Sequence, residues 1–291
     1  MSTVDIRRSK AIDLIPDSDP NYKDIGLLTI LDKLAFKSAL IMKGPKGAGK
    51  TLAIQEFAAR NGYPIIRHDC TEDTSTRDFI GSFAAQGKSI FYALGAITTA
   101  IEVANEMGGA ILILEEINSL SPGAQKMLNP IADYRQEISV AKIGKIFKVG
   151  PGKKIWVIGT MNPNYSGTYS LNEDLRSRFA IFEVGYMKED DEKDLLTTHL
   201  KNLREIEKLS SADTKVINGI MSLAQETRGN EMGYALSTRD LIRFLDNYYT
   251  FDSVDKPLKI LEGKYDNDYL EALRARVASA MKCDLSTVTL F

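Results

Sequence analysis

Residues Gly44–Thr51 read Gly-Pro-Lys-Gly-Ala-Gly-Lys-Thr and match the pattern G-x-x-x-x-G-K-[ST] at every fixed position. Glycines at this spacing let the backbone curl so that its N–H groups point toward a chain of phosphates. Lys50 then supplies positive charge to the terminal phosphates, and the Thr51 hydroxyl is a ligand for Mg²⁺. The predicted phosphate- and nucleotide-binding residues are Gly44, Pro45, Lys46, Gly47, Ala48, Gly49, Lys50, Thr51 and Leu52.

A second candidate set is the acid pair Glu115 and Glu116, which directly follows the apolar run Ala110–Leu114. At such a position the first acid can hold the Mg²⁺ shell, and the second can polarise the water that attacks a phosphate. A strand that merely ends in solvated acids is the alternative, and the phosphate loop upstream argues against it. We therefore predict Thr51 and Glu115 as metal ligands and Glu116 as the catalytic base.

Three further polar residues are candidates for catalysis. Asn162 follows the apolar run Ile155–Gly159, where it can orient water beside a terminal phosphate or start an Asn-Pro turn. Arg176 and Arg178 lie in a short predicted helix, and a guanidinium neutralises charge that develops on a transferring phosphoryl group. Without the other motifs, both arginines would be interpreted as solvated surface residues.

The elements that must position these residues alternate between strands and helices. The phosphate loop lies between a predicted strand and a predicted helix, which is the arrangement that phosphate binding needs. Three of the strands are near-continuous apolar runs, typical of parallel strands covered on both faces. The sequence therefore predicts an α/β fold with a central parallel sheet. The predicted strands are Ser38–Met42, Pro64–His68, Ala110–Leu114, Lys154–Gly159 and Ala180–Val184, and the helices between them include Lys50–Arg60 and Ala93–Met107.

Two segments interrupt this alternation. Arg77–Lys88 is predicted to be a glycine-bearing loop ahead of a helix. The segment between Glu137 and Lys154 carries several lysines and is predicted to form a β-hairpin that turns near Gly144.

The pattern changes after about Gly185 to helices alone, so we predict a second, helical domain. Its predicted helices are Asp190–Leu203, Ala212–Thr227, Thr238–Tyr248 and Tyr269–Met281. Arg239, at the start of the third, either senses the nucleotide across the domain boundary or pairs with a nearby acid. The predicted organisation is an extension over residues 1–24, a nucleotide-binding core over 25–186 and a helical domain over 187–291.

Composition excludes several classes of protein. The 291 residues include 37 basic and 39 acidic side chains, a formal net charge of −2, which argues against a protein that coats nucleic acid. No apolar run has the length of a membrane span, and the first residues lack the apolar core of a signal peptide. Cys70 and Cys283 are expected to be buried thiols of a cytoplasmic protein. His68 and His199 are too few and too distant in sequence to suggest a metal site.

These motifs, in this order, resemble the AAA+ ATPases. The likeness is strongest to the MoxR-like group, including the ATPase subunit of cobaltochelatase and the rubisco-activase and nitric-oxide-reductase activator ATPases. It extends roughly from Lys37 to Arg243. The matching segments are Gly44–Thr51, Leu114–Asn118, Gly159–Pro163, Leu171–Phe179 and Leu236–Arg239, with a weaker likeness in Thr71–Gly81.

The resemblance implies Walker A, Walker B, sensor 1, arginine-finger and sensor 2 roles for these segments in turn. It implies a P-loop αβα sandwich followed by a smaller helical lid, with ATP and Mg²⁺ as cofactors. Arg178 is the preferred arginine finger and Arg176 the second choice. The Arg77–Lys88 and Glu137–Lys154 segments resemble the helix-2 insert and the pre-sensor hairpin, which in the family face the pore of a ring, usually hexameric. One departure is Glu115, where the family usually has Asp.

The resemblance predicts a cytoplasmic ring-forming Mg²⁺–ATP hydrolase that remodels a partner protein or complex, in this group commonly one with a von Willebrand A domain. Three alternatives stay open at this stage. In the first alternative, the chain is the motor subunit of a metal chelatase for a tetrapyrrole. In the second, it is a nucleic-acid motor that uses the basic hairpin. Alternatively, it is a nucleotide-gated scaffold that hardly hydrolyses ATP, because of the Glu115 departure. The three lysines of the hairpin are Lys142, Lys145 and Lys148, with Lys153 and Lys154 following.

Overall fold

A computed structural model of the 291-residue chain describes residues 8–163, 167–229 and 234–265. The chain divides into two compact units. The first comprises Gly49–Val184 with the described residues before Lys46, and the second comprises Lys46–Ala48 with the described residues from Gly185 onward. Among the described residues, no helix is both long and apolar enough to cross a membrane.

The first unit contains most of the strands and helices. Its helices are α1 (Arg8–Ile12), α2 (Leu27–Leu34), α3 (Lys50–Asn61), α4 (Thr76–Ile80), α5 (Ala96–Met107), α6 (Pro122–Lys126), α7 (Asn129–Ala132) and α8 (Glu173–Arg178). Its strands are β1 (Ala39–Lys43), β2 (Ile65–Asp69), β3 (Gly81–Gln86), β4 (Ser89–Leu94), β5 (Gly109–Glu115), β6 (Glu137–Val140), β7 (Lys145–Lys148), β8 (Lys154–Met161) and β9 (Phe179–Glu183).

A five-stranded parallel sheet with the order β2-β5-β8-β1-β9 forms the centre of the first unit, as the sequence predicted. The central strands are apolar because helices flank the sheet: β5 is buried up to its last residue, and β8 is buried from Ile155 to Thr160. Parallel register brings the carboxyl ends of β1, β5 and β8 to one edge, with Met42 opposite Thr160 and Leu114 opposite Gly159. The phosphate loop after β1, Glu115 at the end of β5 and Asn162 after β8 therefore lie at this edge.

Helix α3 attaches to the sheet through one apolar face. Phe57 is buried, and its ring centroid lies 5.5 Å from that of Trp156 on β8. The indole N–H of Trp156 donates to the carbonyl of Ser38 at 2.8 Å, so this buried polar group is satisfied. These contacts fix the helix that follows the phosphate loop.

The segment Arg77–Lys88 differs from the prediction. It is not a loop: α4 ends at Ile80, and β3 and β4 then form an antiparallel hairpin that pairs Gln86 with Ser89. Gly87, with φ +60°, supplies the left-handed turn residue that a two-residue hairpin loop favours. Because β4 takes residues that were assigned to the predicted helix Ala93–Met107, α5 begins only at Ala96. The second hairpin, β6–β7, was predicted correctly and turns at Gly144.

The second unit is helical, as predicted, and contains α9 (Glu189–Arg204), α10 (Ser211–Gly229), α11 (Thr238–Phe251) and α12 (Asp255–Glu262). Its core is a separate cluster of buried side chains that includes Leu196, Ile220 and Leu245. Helix α12 was missed by the sequence analysis. The predicted helix Tyr269–Met281, like Cys283, lies outside the described residues.

Candidate active site

The phosphate loop is built from glycines that no other residue can replace without strain. Gly44 donates its N–H to the carbonyl of Met161 at 2.9 Å, and a Cβ at this position would lie 2.0 Å from the carbonyl oxygen of Val184. Gly47 and Gly49 have φ values of +76° and +78°, in the region where residues with a Cβ are strained. The backbone conformation therefore depends on glycine at these three positions.

Lys50 begins α3 directly after the loop and is buried, with 9% of its surface exposed. Its ammonium donates to the carbonyl of Gly44 at 2.9 Å and to that of Pro45 at 2.7 Å. The start of α3 also has free backbone N–H groups and the positive end of the helix dipole. A buried ammonium at a helix N-terminus is suited to an anion such as a polyphosphate.

Glu115 lies at the carboxyl end of β5 and contacts two hydroxyl groups. The Thr51 hydroxyl donates to Glu115 Oε1 at 2.8 Å, and the Thr160 hydroxyl donates to Glu115 Oε2 at 2.5 Å. The Arg67 Nε atom is 3.8 Å from Oε1, which is beyond hydrogen-bond distance. The structure therefore brings together Thr51 and Glu115, the two residues predicted as metal ligands.

These oxygens fit the needs of Mg²⁺, which protein sites usually hold through one or two carboxylates together with substrate phosphates and water. Within the part of the chain that the structure describes, no group of three or more His, Cys, Asp and Glu side chains forms a metal cage. Thr51 and Glu115 are the residues that would hold the ion. When bound there, Mg²⁺ would neutralise charge on the phosphates. The Glu side chain, longer than Asp, reaches Thr51 directly.

Glu116 has an unusual backbone for a residue with a side chain, with φ 52° and ψ 48°. This left-handed conformation costs about 1–2 kcal/mol, and such strain clusters at functional sites. The Glu116 N–H donates to the Thr160 hydroxyl at 3.2 Å. Thr160 thus contacts both acids, a role that the sequence analysis missed. The sequence signal for this role is a hydroxyl side chain near the carboxyl end of the apolar strand β8.

Asn162 follows β8 and lies beside the turn that contains Glu116. Its carbonyl accepts a hydrogen bond from Asn118 Nδ2 at 3.0 Å, and Asn118 is 2% exposed. Asn162 therefore lies directly after β8, at the edge of the sheet where the sequence predicts it. Its predicted role in orienting water stays a prediction.

The three candidate arginines are not joined to the Glu115 cluster by any hydrogen bond or ion pair among the described residues. Arg176 is exposed on α8, and Arg178, partly buried at the end of the same helix, donates to the carbonyl of Asp174 at 2.6 Å. Arg239 is exposed near the start of α11 in the second unit, where Ser237 and Asp240 form a capping box. Exposed guanidinium groups are available to a ligand or a second chain.

Cys70 is a buried free thiol, as predicted. Burial, assisted by the charges of Asp69, Glu115 and Glu116, raises its pKa well above the usual range. Burial therefore favours the neutral thiol of Cys70 over the thiolate, which is the nucleophilic form.

The sheet, the glycine loop and the paired oxygens at the strand ends together define a phosphate-binding α/β domain of the P-loop type. Comparison with known families agrees: residues 39–179 match the model of the AAA domain, dynein-related subfamily. This segment is therefore similar to a nucleotide-binding ATPase domain, and the match supports ATPase activity.

The chain is also similar to several staphylococcal proteins that have no described function. An uncharacterised protein of Staphylococcus epidermidis is 28% identical over 217 residues, which are 71% of this chain and 76% of that protein. A Staphylococcus haemolyticus protein is 30% identical over 162 residues, or 54% of this chain and 59% of that protein. A crystal structure of a candidate ATPase from Cytophaga hutchinsonii aligns with a TM-score of 0.48 and 16% identity, covering 84% of this chain and 79% of the other.

Proposed function

We propose that this chain is a Mg²⁺-dependent ATP hydrolase whose chemistry is done by Lys50, Thr51, Glu115 and Glu116. The observation that carries the proposal is the contact of Thr51 with Glu115 at 2.8 Å. It brings a hydroxyl and a carboxylate, two ligands that Mg²⁺ accepts, to the start of the helix that carries the buried Lys50. Glu116, held in its strained turn, is the base that takes a proton from the attacking water.

The remaining roles concern a neighbouring subunit and the second unit. In this proposal Asn162 orients the attacking water, and Arg178, with Arg176 as second choice, acts on the nucleotide of a neighbour in a homo-oligomeric ring. The proposed ring is a hexamer, by analogy with the MoxR-like group. Residues 25–186 are the catalytic core, and residues 187–291 are a lid in which Arg239 couples hydrolysis to movement. Arg176 and Arg239 are exposed, which is what contact with a ligand or a neighbour requires.

We further propose that ATP hydrolysis remodels or activates a partner protein complex, with a von Willebrand A domain protein as the expected partner. Both hairpins of the first unit expose apolar side chains that a protein partner can cover. Phe83 on β3 is 42% exposed, Ile90 on β4 is 62% exposed and Ile146 on β7 is 63% exposed.

The ion pairs of the β6–β7 hairpin argue against a nucleic-acid motor. Its support was the set of lysines on the β6–β7 hairpin. Lys145 pairs with Glu102 at 2.8 Å, and Lys148 pairs with Glu137 at 3.3 Å. Two of the three hairpin lysines are thus partly neutralised, which weakens attraction to a phosphate backbone.

The test is capture of the partner by a variant that binds ATP without hydrolysing it. Glu116→Gln protein with ATP should retain the partner, whereas the double variant Lys50→Ala/Glu116→Gln should not. In the Glu116→Gln background, replacing the exposed Ile146 by serine should leave ATP binding intact but weaken capture. Equal capture by all three proteins would contradict the remodelling proposal, and nucleic acid in the captured material would favour the alternative.

A further inference from the structure

Gln125, on α6, is fully buried, and the hydrogen bonds of its amide join two parts of the first unit that are far apart in sequence. Its Nε2 atom donates to the carbonyl of Leu120 at 3.1 Å and to that of Ser170 at 3.2 Å. Its Oε1 atom accepts from the N–H of Asn172 at 2.8 Å. An amide is costly to bury unless it is paired in this way, so the three bonds fix the position of residues 170–172 relative to α6.

These residues lead directly into α8, the helix that carries Arg176 and Arg178. Asn172 is the N-cap residue of α8, and its Nδ2 atom donates back to the carbonyl of Pro122 at 3.3 Å. Helix α8 has six residues, and so short a helix is not stable by itself. Its orientation therefore depends on its attachment to α6 and on the buried side chain of Leu175.

The same segment is attached to the turn that begins at Glu116. Asn118, within this turn, donates from Nδ2 to the carbonyl of Asn162, and its own carbonyl accepts from the N–H of Tyr169 at 2.7 Å. Asn118 and Gln125 thus hold the chain near the end of β8 and at the start of α8. The hydrogen bonds of Asn118 and Gln125, joined by the backbone of residues 169–172, link the Glu116 turn to the arginine helix.

We propose that Gln125 is a positioning residue for the arginine finger. It holds α8 so that Arg178 meets the nucleotide of the neighbouring subunit, while the chemistry of its own subunit does not require it. The inference rests on the proposed ring with an arginine supplied in trans. A misplacement of about 1 Å in a catalytic group can reduce the rate about 10²-fold, so loss of the Gln125 bonds should have an effect of that size.

The test uses Gln125→Met, which has similar length but forms no hydrogen bonds to Ser170 or Asn172. Nucleotide affinity should equal that of the wild type, and kcat should fall about 10²-fold. Mixing with Glu116→Gln subunits should restore turnover, because these donate an intact Arg178 to Gln125→Met subunits that keep a working Glu116. Mixing with Arg178→Ala subunits should restore nothing, because both partners then lack a working finger.

Unchanged turnover of Gln125→Met, or a loss that Glu116→Gln subunits do not rescue, would overturn the inference, since Gln125 would then be dispensable or act within its own site. If Gln125→Met does not fold, Asn172→Ala weakens the same attachment more mildly and should show a smaller loss with the same mixing pattern. Failure of the proposed ring would look different: Arg178→Ala itself would keep its activity, or Glu116→Gln subunits would fail to rescue it.

Discussion

Each unit contains a carboxylate that is shielded from solvent, and the two carboxylates differ in the groups that contact them. In the second unit, the Glu192 side chain is 1% exposed and accepts hydrogen bonds from both terminal nitrogens of Arg228 at 2.7 and 2.8 Å. In the first unit, the Glu115 side chain is 18% exposed and receives hydrogen bonds from hydroxyl groups, with Arg67 at 3.8 Å. The charge of Glu192 is neutralised by a bidentate arginine, whereas Glu115 has only a long ion pair with Arg67 at 3.8 Å, which fits its proposed role as a ligand for a cation.

The same contrast applies to the residues around each acid. Thr238 donates to Glu192 at 2.5 Å and Arg228 also donates to the carbonyl of Leu236, so this network holds the start of α11. Around Glu115, Thr160 donates to the carboxylate and accepts from the strained Glu116 backbone. A paired, buried acid stabilises a fold, whereas an acid contacted mainly by hydroxyls beside a phosphate loop is suited to metal chemistry.

The largest effect is expected at Glu116. Glu116→Gln keeps the size of the side chain but removes the base, so ATP should bind normally while hydrolysis falls about 10²–10⁴-fold. Calorimetry and phosphate release measure the two properties, with Glu106→Gln, on the exposed face of α5, as the matched control. If Glu115→Gln alone shows this behaviour, the roles of the two acids are reversed.

Glu192 should instead affect stability. Glu192→Ala leaves the Arg228 guanidinium without its carboxylate, which should lower the free energy of unfolding by about 3–5 kcal/mol. Glu192→Met/Arg228→Met, which removes both charges, should recover much of that loss. Chemical denaturation measures both variants, and a cost below about 1 kcal/mol for Glu192→Ala would show that the pair contributes no more than a surface ion pair.

Substitution of Thr160 should change the dependence of ATP binding on the Mg²⁺ concentration. Residues that orient a metal ligand typically contribute 10–100-fold in metal affinity or activity, so Thr160→Val should raise the Mg²⁺ concentration needed for tight ATP binding about tenfold. Thr160→Ser keeps the hydroxyl and should behave as the wild type. Fluorescence titration of a nucleotide analogue at varied Mg²⁺ gives the comparison. Equal Mg²⁺ dependence of the Val and Ser variants would remove Thr160 from the site.

The smallest effect concerns acid stability of the second unit. Burial raises the pKa of Asp240, but hydrogen bonds from Lys264 and Ser237 outweigh it, so the net pKa lies below the usual range. Because its pKa is lowered, ionised Asp240 stabilises the fold at pH values above the unfolded-state pKa of about 3.9. This stabilisation is lost as the pH falls through the pKa of the folded state. Thermal unfolding from pH 6 to pH 3 should therefore show a shallower loss for Asp240→Asn than for the wild type. Parallel curves would contradict the assignment.

Local patterns were enough to predict the sheet and the first part of the site. The apolar runs that became β5 and β8 end in polar residues, and parallel register places such ends together, so Glu115 and Asn162 could be assigned to one edge. The β3–β4 hairpin was missed because its glycines also suit a loop. Thr160 and Gln125 were missed because their roles come from partners 44 to 47 residues away in sequence, such as Glu116 and Asn172.

The central claim is that the phosphate loop and Glu115 form a Mg²⁺–ATP site, and calorimetry of ATP binding to Lys50→Ala tests it most directly. The Lys50 ammonium supplies the main side-chain charge for the phosphates, so this variant should lose all or nearly all measurable affinity in the presence of Mg²⁺. Lys33→Ala, on the exposed face of α2, should bind as the wild type does. Unchanged affinity in a folded Lys50→Ala protein would contradict the account.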